Sequence, residues 1–315
     1  MENITVTHSA PGKIILCGEH SVVYGRPAIA VPVSDLRAYA EVCPGSPGTG
    51  LLLRSQELRQ EIALKNAPQE HTLGKAARLV LQYLKKPEPD AILTIRSSLP
   101  IAAGMGSGAA VAAASIHALS DYLGQELPTD TINTLTYEVE KIHHGTPSGI
   151  DNTVIAWEKP VYFVREQPTQ VFNIGAPFHM LIASSGVAAS TKEAVSEVRR
   201  RLTLAPDYYN AVFNCIGNMA NAARAAVENG DISTLGILLD ENHQLLKMMG
   251  VSLPELDRLI EAARSNGARG AKLTGSGQGG NIIALVDAEQ LERVEDALLA
   301  AGAAHVWHTM VRQHE

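Results

Sequence analysis

The order of predicted elements in the second half of the chain restricts the fold more than any other feature of the sequence. A strand is followed by a block of helices, two strands around a glycine-rich loop, one helix and a last strand. The predicted strands are 179–184, 271–274, 281–286 and 304–309, and the predicted helices are 190–202, 206–229, 232–249, 254–266 and 288–301. With the helical block counted as one crossover, the order is β-α-β-β-α-β, which is the ferredoxin-like arrangement.

The first half has a different pattern, in which short predicted strands are separated by turn signals rich in Gly and Pro, such as Pro11-Gly12. The predicted strands are 4–8, 13–17, 28–33, 38–43, 51–54, 61–64, 91–97, 153–157 and 161–164, and the predicted helices are 72–84, 109–123 and 130–144. The pattern changes near Gly175-Ala176-Pro177. We therefore predict an α+β protein with an N-terminal domain over 1–177 and a C-terminal domain over 178–315.

Composition excludes several classes of protein. The chain has 315 residues, 45% of them hydrophobic, which is typical of about two globular domains. Its net charge of −7 disfavours a broad nucleic-acid-binding surface. The three cysteines are far apart and form no CxxC pair, which disfavours a structural zinc site and favours a reducing compartment. The first residues lack the features of a signal peptide, and no apolar run is long enough to span a membrane, so we expect a cytoplasmic protein.

A glycine-rich loop lies between the predicted strand 91–97 and an alanine-rich helix. Its residues Gly104, Gly106 and Gly108 let backbone N–H groups approach an anion, and the following helix start adds unpaired donors. The loop lacks the Lys of a Walker A motif. Three interpretations stay open at this point: a phosphate-binding loop, a tightly packed helix start, and the dinucleotide fingerprint G-x-G-x-x-A, which fits less well because Pro100 lies in a long connection.

A second glycine loop lies between two predicted strands, with four glycines in residues 275–280. A tight hairpin turn needs only one or two glycines, so this number indicates that the backbone closely approaches another loop or a ligand.

Near the N-terminus, Lys13 begins an apolar strand that leads to Glu19 and His20. Lys13 is either a solvated lysine beside a turn or a cation that points into a cleft.

The stretch 140–152 combines a helix end with an ordered turn. Glu140, His143 and His144 share a helix face, and Gly145 is predicted to end that helix before Asp151. A pair of carboxylates such as Glu140 and Asp151 suits phosphoryl transfer, since one can hold Mg²⁺ and the other can accept a hydroxyl proton. Zinc binding by the two histidines is disfavoured, because adjacent residues on a helix point about 100° apart.

Together these segments, in this order and spacing, resemble the GHMP kinase superfamily over most of the chain, from Ala10 to about Val286. The segments APGKIILCGEHSVVYGRPAIA and EKIHHGTPSGIDN are most similar to the branch that phosphorylates the 5-hydroxyl of (R)-mevalonate. Galactokinases carry a different segment around the base, and homoserine kinases lack the equivalent Asp. Diphosphomevalonate decarboxylases have a Ser-Gly-rich segment there, and phosphomevalonate kinases lack the His-Gly-x-Pro-Ser-Gly turn.

The resemblance implies a two-domain fold with the active site in the cleft between the domains. The N-terminal domain is expected to be ribosomal-S5-domain-2-like, and the C-terminal domain to be ferredoxin-like with added helices. The expected cofactors are ATP and Mg²⁺, the expected partner is a small-molecule substrate, and the family favours a homodimer. Nucleic acid and membranes are not expected partners.

The resemblance also implies roles for individual residues. Asp151 matches the catalytic base, Lys13 the lysine that stabilises the developing alkoxide, and Glu140 the carboxylate that holds Mg²⁺. The residues that match the phosphate loop are Gly104, Met105, Gly106, Ser107, Gly108 and Ala109. Those that fall at or beside contacts to the substrate are Glu19, His20, Ser148, Gly149 and Ser185. Residues 272–280 match the third family motif, which supports the nucleotide site.

Two positions depart from the family pattern. Family members often have a second serine in the phosphate loop that supplies a hydroxyl to Mg²⁺, and here that position is Gly108. Either Ser107 or a water molecule is expected to take its place. Gln278 replaces a common glycine in the third motif. Two alternatives are kept open, namely another small-molecule kinase of the superfamily and a non-catalytic nucleotide-binding regulator on the same fold. An NAD-dependent oxidoreductase is a more distant alternative.

Overall fold

The computed structural model of the chain describes residues 4–100, 104–144, 147–188 and 190–313. It confirms a mixed α+β architecture. The strands are β1 Val6–Cys17, β2 Ala28–Pro44, β3 Leu51–Ser55, β4 Gln60–Ala63, β5 Ala91–Ser97, β6 Val161–Phe163, β7 Gln170–Val171, β8 Phe178–Ser184, β9 Gly270–Thr274, β10 Asn281–Val286 and β11 His305–Val311. The helices are α1 Thr72–Leu84, α2 Ser107–Tyr122, α3 Thr129–His144, α4 Ile150–Trp157, α5 Thr191–Leu204, α6 Pro206–Asn229, α7 Ile232–Met249, α8 Pro254–Ser265 and α9 Leu291–Ala300.

The chain forms two compact units that are discontinuous in sequence. Unit 1 comprises Met1–Gly12, Leu36–Ile101 and Gly106–Glu158, and unit 2 comprises Lys13–Asp35, Ala102–Met105 and Lys159–Glu315. The first two strands each contribute to both units. These units do not correspond one to one to the predicted segments 1–177 and 178–315, and that division into domains stays a prediction.

In unit 1, the described residues form a sheet together with helices α1 to α4. Strand β3 pairs in parallel with β5 and antiparallel with β4, and residues 38–44 of β2 pair antiparallel with β5. Helix α2 is central, because it contacts α1, α3, α4 and β5. Its buried surface is mostly alanine, and such small side chains let neighbouring helices approach closely. The phosphate-loop candidate therefore leads into a helix that is fixed by packing on several sides.

Unit 2 contains an antiparallel four-stranded sheet in the order β11-β8-β10-β9. Counted along the chain, this is the strand order 4-1-3-2, which confirms the predicted ferredoxin-like arrangement. One face of the sheet packs against helices in an apolar core that includes Leu181, Phe213 and Leu256.

The edge strand of this sheet is covered by side chains from two helices. The Oδ1 atom of Asp240 on α7 accepts the N–H of Ala271 at 2.7 Å, and Arg264 on α8 donates to the Ala271 carbonyl at 3.0 Å. An unpaired edge exposes backbone groups that favour aggregation, and these bonds satisfy them. Strand β9 is thereby held in place just before the second glycine loop.

The prediction of a strand over 153–157 is wrong, since these residues form the end of helix α4. Gly149 precedes the helix with φ of 94°, and the Thr153 hydroxyl donates to the Gly149 carbonyl at 2.6 Å. Asp151 lies in the first turn, where a negative charge is favoured by the helix dipole. A short apolar run with β-branched residues cannot be assigned by periodicity alone, which explains the error.

The predicted turn at Pro11-Gly12 is also wrong, because β1 continues through both residues. The predicted break between 33 and 38 is likewise absent, and β2 is one strand of 17 residues. From Ala10 to Cys17 every residue of β1 is buried. Proline and glycine both fit extended backbone, so burial on both faces decides the conformation here, not local turn propensity. Gly145, predicted to end α3, lies outside the described residues.

Candidate active site

The first glycine loop has the geometry of an anion-binding helix start. Gly104 and Gly106 have φ angles of 72° and 73°, a conformation that glycine adopts without strain. Within the described residues no side chain caps α2, and the first N–H groups of a helix have no partner inside it. A Cβ added to Gly104 would meet no described atom within 4 Å. Backbone donors and the helix dipole are thus suited to bind a phosphate group.

Lys13, in unit 2, is held against the start of this loop. Its Nζ atom donates to the Gly104 carbonyl at 3.0 Å, and its backbone N–H donates to the Met105 carbonyl at 3.0 Å. Lys13 is 3% exposed, so it is not the solvated lysine of the simpler interpretation. A buried lysine requires polar partners, and here the loop supplies them.

A second buried cation lies on strand β9 of the same unit. The Lys272 Nζ atom donates to Oε1 of Glu19 and, at 2.7 Å, to the Leu273 carbonyl. Lys272 is 0% and Glu19 1% exposed. Burial raises the pKa of the Glu19 carboxyl, and the charge of Lys272 opposes this rise. Burial also raises the pKa of the Cys17 thiol to about 12, which keeps that thiol protonated and unreactive.

His20 follows Glu19 in a constrained conformation. Its φ angle is 59°, and its Nε2 atom lies 2.9 Å from the Ser276 carbonyl oxygen. Because a carbonyl only accepts, Nε2 must carry the proton and donate it. Burial lowers the pKa of His20 to about 4, so the ring is neutral near pH 7. A neutral ring protonated at Nε2 leaves Nδ1 as a hydrogen-bond acceptor.

The second glycine loop packs closely against other loops, which confirms one of the two roles considered for its glycines. A Cβ on Gly277 would lie 2.2 Å from the Val251 carbonyl oxygen, and one on Gly279 would lie 2.7 Å from that of Val187. The hydroxyl and the backbone N–H of Ser185 each donate to the Gly280 carbonyl at 2.9 Å. Larger residues would push these loops apart.

The two candidate carboxylates belong to unit 1. Glu140 on α3 is 3% exposed. Asp151 is half-buried in the first turn of α4, and α3 and α4 pack against each other and against α2. Next to Asp151, the Ser148 hydroxyl accepts the Ile150 N–H at 3.4 Å, and Gly149 has the positive φ that begins α4. The side chains of His143 and His144 lie outside the part of the chain that the structure describes.

Sequence reasoning missed two contacts in unit 2. It included Lys272 in the third motif but gave it no partner, and it gave no role to Thr274. The Thr274 hydroxyl donates to the Ile15 carbonyl and accepts the Ile15 N–H, both at 3.2 Å, and so fastens β9 to β1. The available signal was a single lysine inside an apolar strand, Gly-Ala-Lys-Leu-Thr, since a lysine is rarely fully buried unless it is paired.

The comparisons with known proteins agree with these features. Residues 71–158 match the model of the GHMP kinases N terminal domain, and residues 223–304 match that of the GHMP kinases C terminal domain. The chain belongs to the GHMP kinase family. Within it, the chain is similar to mevalonate kinases. The mevalonate kinase of Thermococcus sibiricus is 35% identical over 316 residues, which cover 94% of this chain and 93% of that protein.

Solved structures show the same likeness. The crystal structure of L. major mevalonate kinase in complex with R-mevalonate has a TM-score of 0.85 and 29% identity, with 98% of this chain and 97% of that chain covered. The Methanococcus jannaschii mevalonate kinase has a TM-score of 0.87 and 25% identity, with full coverage of both chains.

None of the helices formed by the described residues has the length and apolar character that a membrane crossing requires.

Proposed function

We propose that this protein phosphorylates the 5-hydroxyl of (R)-mevalonate with ATP and Mg²⁺, giving 5-phosphomevalonate for isoprenoid synthesis. The observation that carries the proposal is similarity to mevalonate kinases over 94% of the chain. The start of helix α2 supports it, because the helix has no side-chain cap among the described residues and follows Gly104 and Gly106 at positive φ. A cytoplasmic location and a homodimer stay predictions from the sequence.

Asp151 is the proposed general base. A primary alcohol is a poor nucleophile until its proton leaves, and a carboxylate within hydrogen-bond reach accelerates that transfer by roughly 10²–10⁴-fold. Lys13 is proposed to stabilise the alkoxide that develops on the acceptor oxygen. Its three N–H groups are donors only, which suits a site of growing negative charge. Residues 106–109 are proposed to bind the phosphates through their backbone N–H groups.

The donor set fits Mg²⁺. Among the residues that the structure describes, no group of three or more His, Cys, Asp or Glu side chains could hold a metal by itself. Magnesium in kinases is usually held by one or two carboxylates together with substrate phosphates, so such a cluster is not required. Glu140 and Ser107 are the residues proposed to hold it. When bound, Mg²⁺ neutralises charge on the phosphates.

Glu19, His20, Ser148, Gly149 and Ser185 are proposed to bind the acceptor. His20 is neutral near pH 7 and can therefore accept a hydrogen bond from a substrate hydroxyl at Nδ1. Ser148 and Ser185 offer hydroxyl groups that both donate and accept. Such a set favours a small molecule with several hydroxyl groups over an apolar acceptor.

The proposal is tested by measuring ADP release with Mg²⁺-ATP against mevalonate, phosphomevalonate, homoserine and galactose, followed by phosphorus NMR of the product. We expect turnover on mevalonate and a 5-phosphate product. A 3-phosphate product would mean that mevalonate binds in a different orientation, although the reaction would still be phosphoryl transfer to a hydroxyl group. ATP binding without turnover on any of the four compounds would reject the proposal and favour the nucleotide-binding regulator.

A further inference from the structure

The third family motif, residues 272–280, contacts each candidate acceptor-binding residue of unit 2. The Lys272 ammonium binds Glu19, the Ser276 carbonyl accepts from His20, and the Gly280 carbonyl accepts from Ser185. These three residues come from two separate segments of the chain. A single motif thus holds all three of them.

We infer that the third motif positions the acceptor-binding residues, and that Lys272 is a positioning residue acting through Glu19. This inference rests on the proposed function and adds to it, because it assigns the motif to the alcohol substrate. The sequence resemblance assigned the motif to support of the nucleotide site.

Among the residues that the structure describes, the motif makes stronger contacts to the acceptor side than to Gly104 of the phosphate loop. A Cβ added to Gly275 of the motif would lie 3.9 Å from the Gly104 carbonyl oxygen. That distance is an ordinary van der Waals contact. By contrast, the acceptor side receives an ion pair and two hydrogen bonds. Directional bonds fix orientation, whereas van der Waals contacts mainly fill space.

Lys272 satisfies one oxygen of Glu19, and the other is buried without a donor among the described residues. Oε1 accepts from Lys272, whereas the buried Oε2 accepts no hydrogen bond from any residue that the structure describes. A buried carboxylate oxygen is costly unless a donor satisfies it. A hydroxyl of the acceptor is such a donor. The second bond of Lys272, to the Leu273 carbonyl, ties the ammonium to the β9 backbone and so fixes where Oε1 lies.

The turn formed by Gly18, Glu19 and His20 needs such support. Gly18 has φ of 112°, and a Cβ there would lie 2.3 Å from the Ala28 Cβ. His20 has φ of 59°, which is uncommon for a residue other than glycine. A conformation of this kind persists when the surroundings hold it. Here Glu19 accepts from Lys272 and the next residue, His20, donates to the Ser276 carbonyl.

The test is a double-mutant cycle with Lys272→Met and Glu19→Met, measured by steady-state kinetics with each substrate varied in turn. In the wild-type background we expect Lys272→Met to raise KM for mevalonate about 10–100-fold, as for other residues that orient a binding group, and to leave KM for ATP within about twofold. In the Glu19→Met background the same substitution should change KM for mevalonate by less than about threefold, because residue 19 then has no oxygen that can accept a hydrogen bond from Lys272.

The pH profile gives a second measurement that a purely structural role would not change. Lys272 opposes the rise of the Glu19 pKa, so Lys272→Met should move the acid limb of kcat/KM for mevalonate to higher pH. Lys247→Met is the matched control, since Lys247 is also paired with a carboxylate, that of Asp257 at 2.9 Å, but lies on α7 and has no contact assigned to the acceptor. It should leave both KM values and the profile unchanged.

Two results would overturn the inference. One is a rise of KM for ATP that equals or exceeds the rise for mevalonate, and the other is an equal effect of Lys272→Met in both backgrounds. Lys272→Gln, which keeps a donor, is prepared in parallel and used in the same cycle if Lys272→Met does not fold. Absence of wild-type turnover on mevalonate would reject the proposed function alone, and the cycle would then use the acceptor that the wild type does phosphorylate.

Discussion

Asp151 lies in the first turn of a helix, where its carboxylate has a structural as well as a chemical effect. Asp151→Asn keeps the size of the side chain and removes the carboxylate that we propose as the base. We expect kcat with mevalonate to fall about 10²–10⁴-fold, while ATP affinity measured by calorimetry stays the same. Asp130→Asn is the control, because Asp130 is an exposed acid in the first turn of α3. Near-wild-type activity of Asp151→Asn would reject Asp151 as the base.

Individual site residues could be predicted from the sequence only where a local pattern marks them. Lys13 and Gly104 stand in dense motifs of glycine and charge, and the structure joins them by a hydrogen bond. The bond between Lys272 and Glu19 links residues 253 positions apart. Nothing in either segment specifies the other, because this pairing depends on β9 lying beside β1. The left-handed conformation of His20 is equally a product of its surroundings.

At the scale of elements, prediction succeeded where periodicity and caps agree. Helix α6 begins with proline at its first turn and ends at Gly230, and α7 begins after Asp231 and ends at Gly250. These signals act within one turn of the chain, so the sequence is sufficient to place both ends. The predictions for helix α4 and for the continuous strand β1 were wrong, because burial by neighbouring elements overrides the weak local preference of these segments.

The packing of α7 on β9 depends on two glycines. A Cβ on Gly270 would lie 2.0 Å from the Gly236 carbonyl oxygen, which is helix backbone and cannot rotate away. Gly270→Ala should therefore destabilise the protein by about 2–3 kcal/mol through overpacking, as measured by urea denaturation. The shift of α7 should also raise KM for mevalonate, since β9 carries Lys272.

The control for this substitution separates crowding from backbone strain. Gly25→Ala places a Cβ at φ of 77° in open space, with no described atom within 4 Å. It should cost about 1 kcal/mol, the penalty of the left-handed conformation alone. Equal losses of stability in Gly270→Ala and Gly25→Ala would contradict the importance of close packing between α7 and β9.

At the scale of the whole molecule, stability depends on buried groups that must stay neutral or paired. His243 on α7 is 1% exposed, and its Nε2 atom lies 3.1 Å from Oδ1 of Asp257 on α8. Burial lowers the pKa of His243 to about 4, and the nearby cations Arg264 and Lys272 act in the same direction, whereas Asp257 opposes them. His20 has a similarly low pKa. Glu19 has the opposite effect on the pH dependence of stability, because burial raises its pKa and so favours the protonated carboxyl in the folded protein.

The lowered pKa values of His20 and His243 predict a contribution to acid sensitivity with a definite sign. Between pH 6.5 and about pH 4 the unfolded chain binds a proton at each of these histidines and the folded protein does not. Stability therefore falls as the pH falls through this window, by about 3 kcal/mol for each histidine at its lower end. Above pH 6.5 both states hold neutral rings, so the histidines add no pH dependence there.

His243→Gln isolates one part of this effect, because glutamine does not titrate and can still donate to Asp257. Free energies of unfolding should be compared at about pH 7 and about pH 4.5 for the wild type and the variant. We expect the variant to lose less stability on acidification than the wild type, by about 2–3 kcal/mol, whatever its stability at neutral pH. His305→Gln, which replaces an exposed histidine of the same unit, should behave like the wild type. If His243→Gln and the wild type lost the same stability on acidification, the burial of a neutral His243 would not contribute to acid sensitivity.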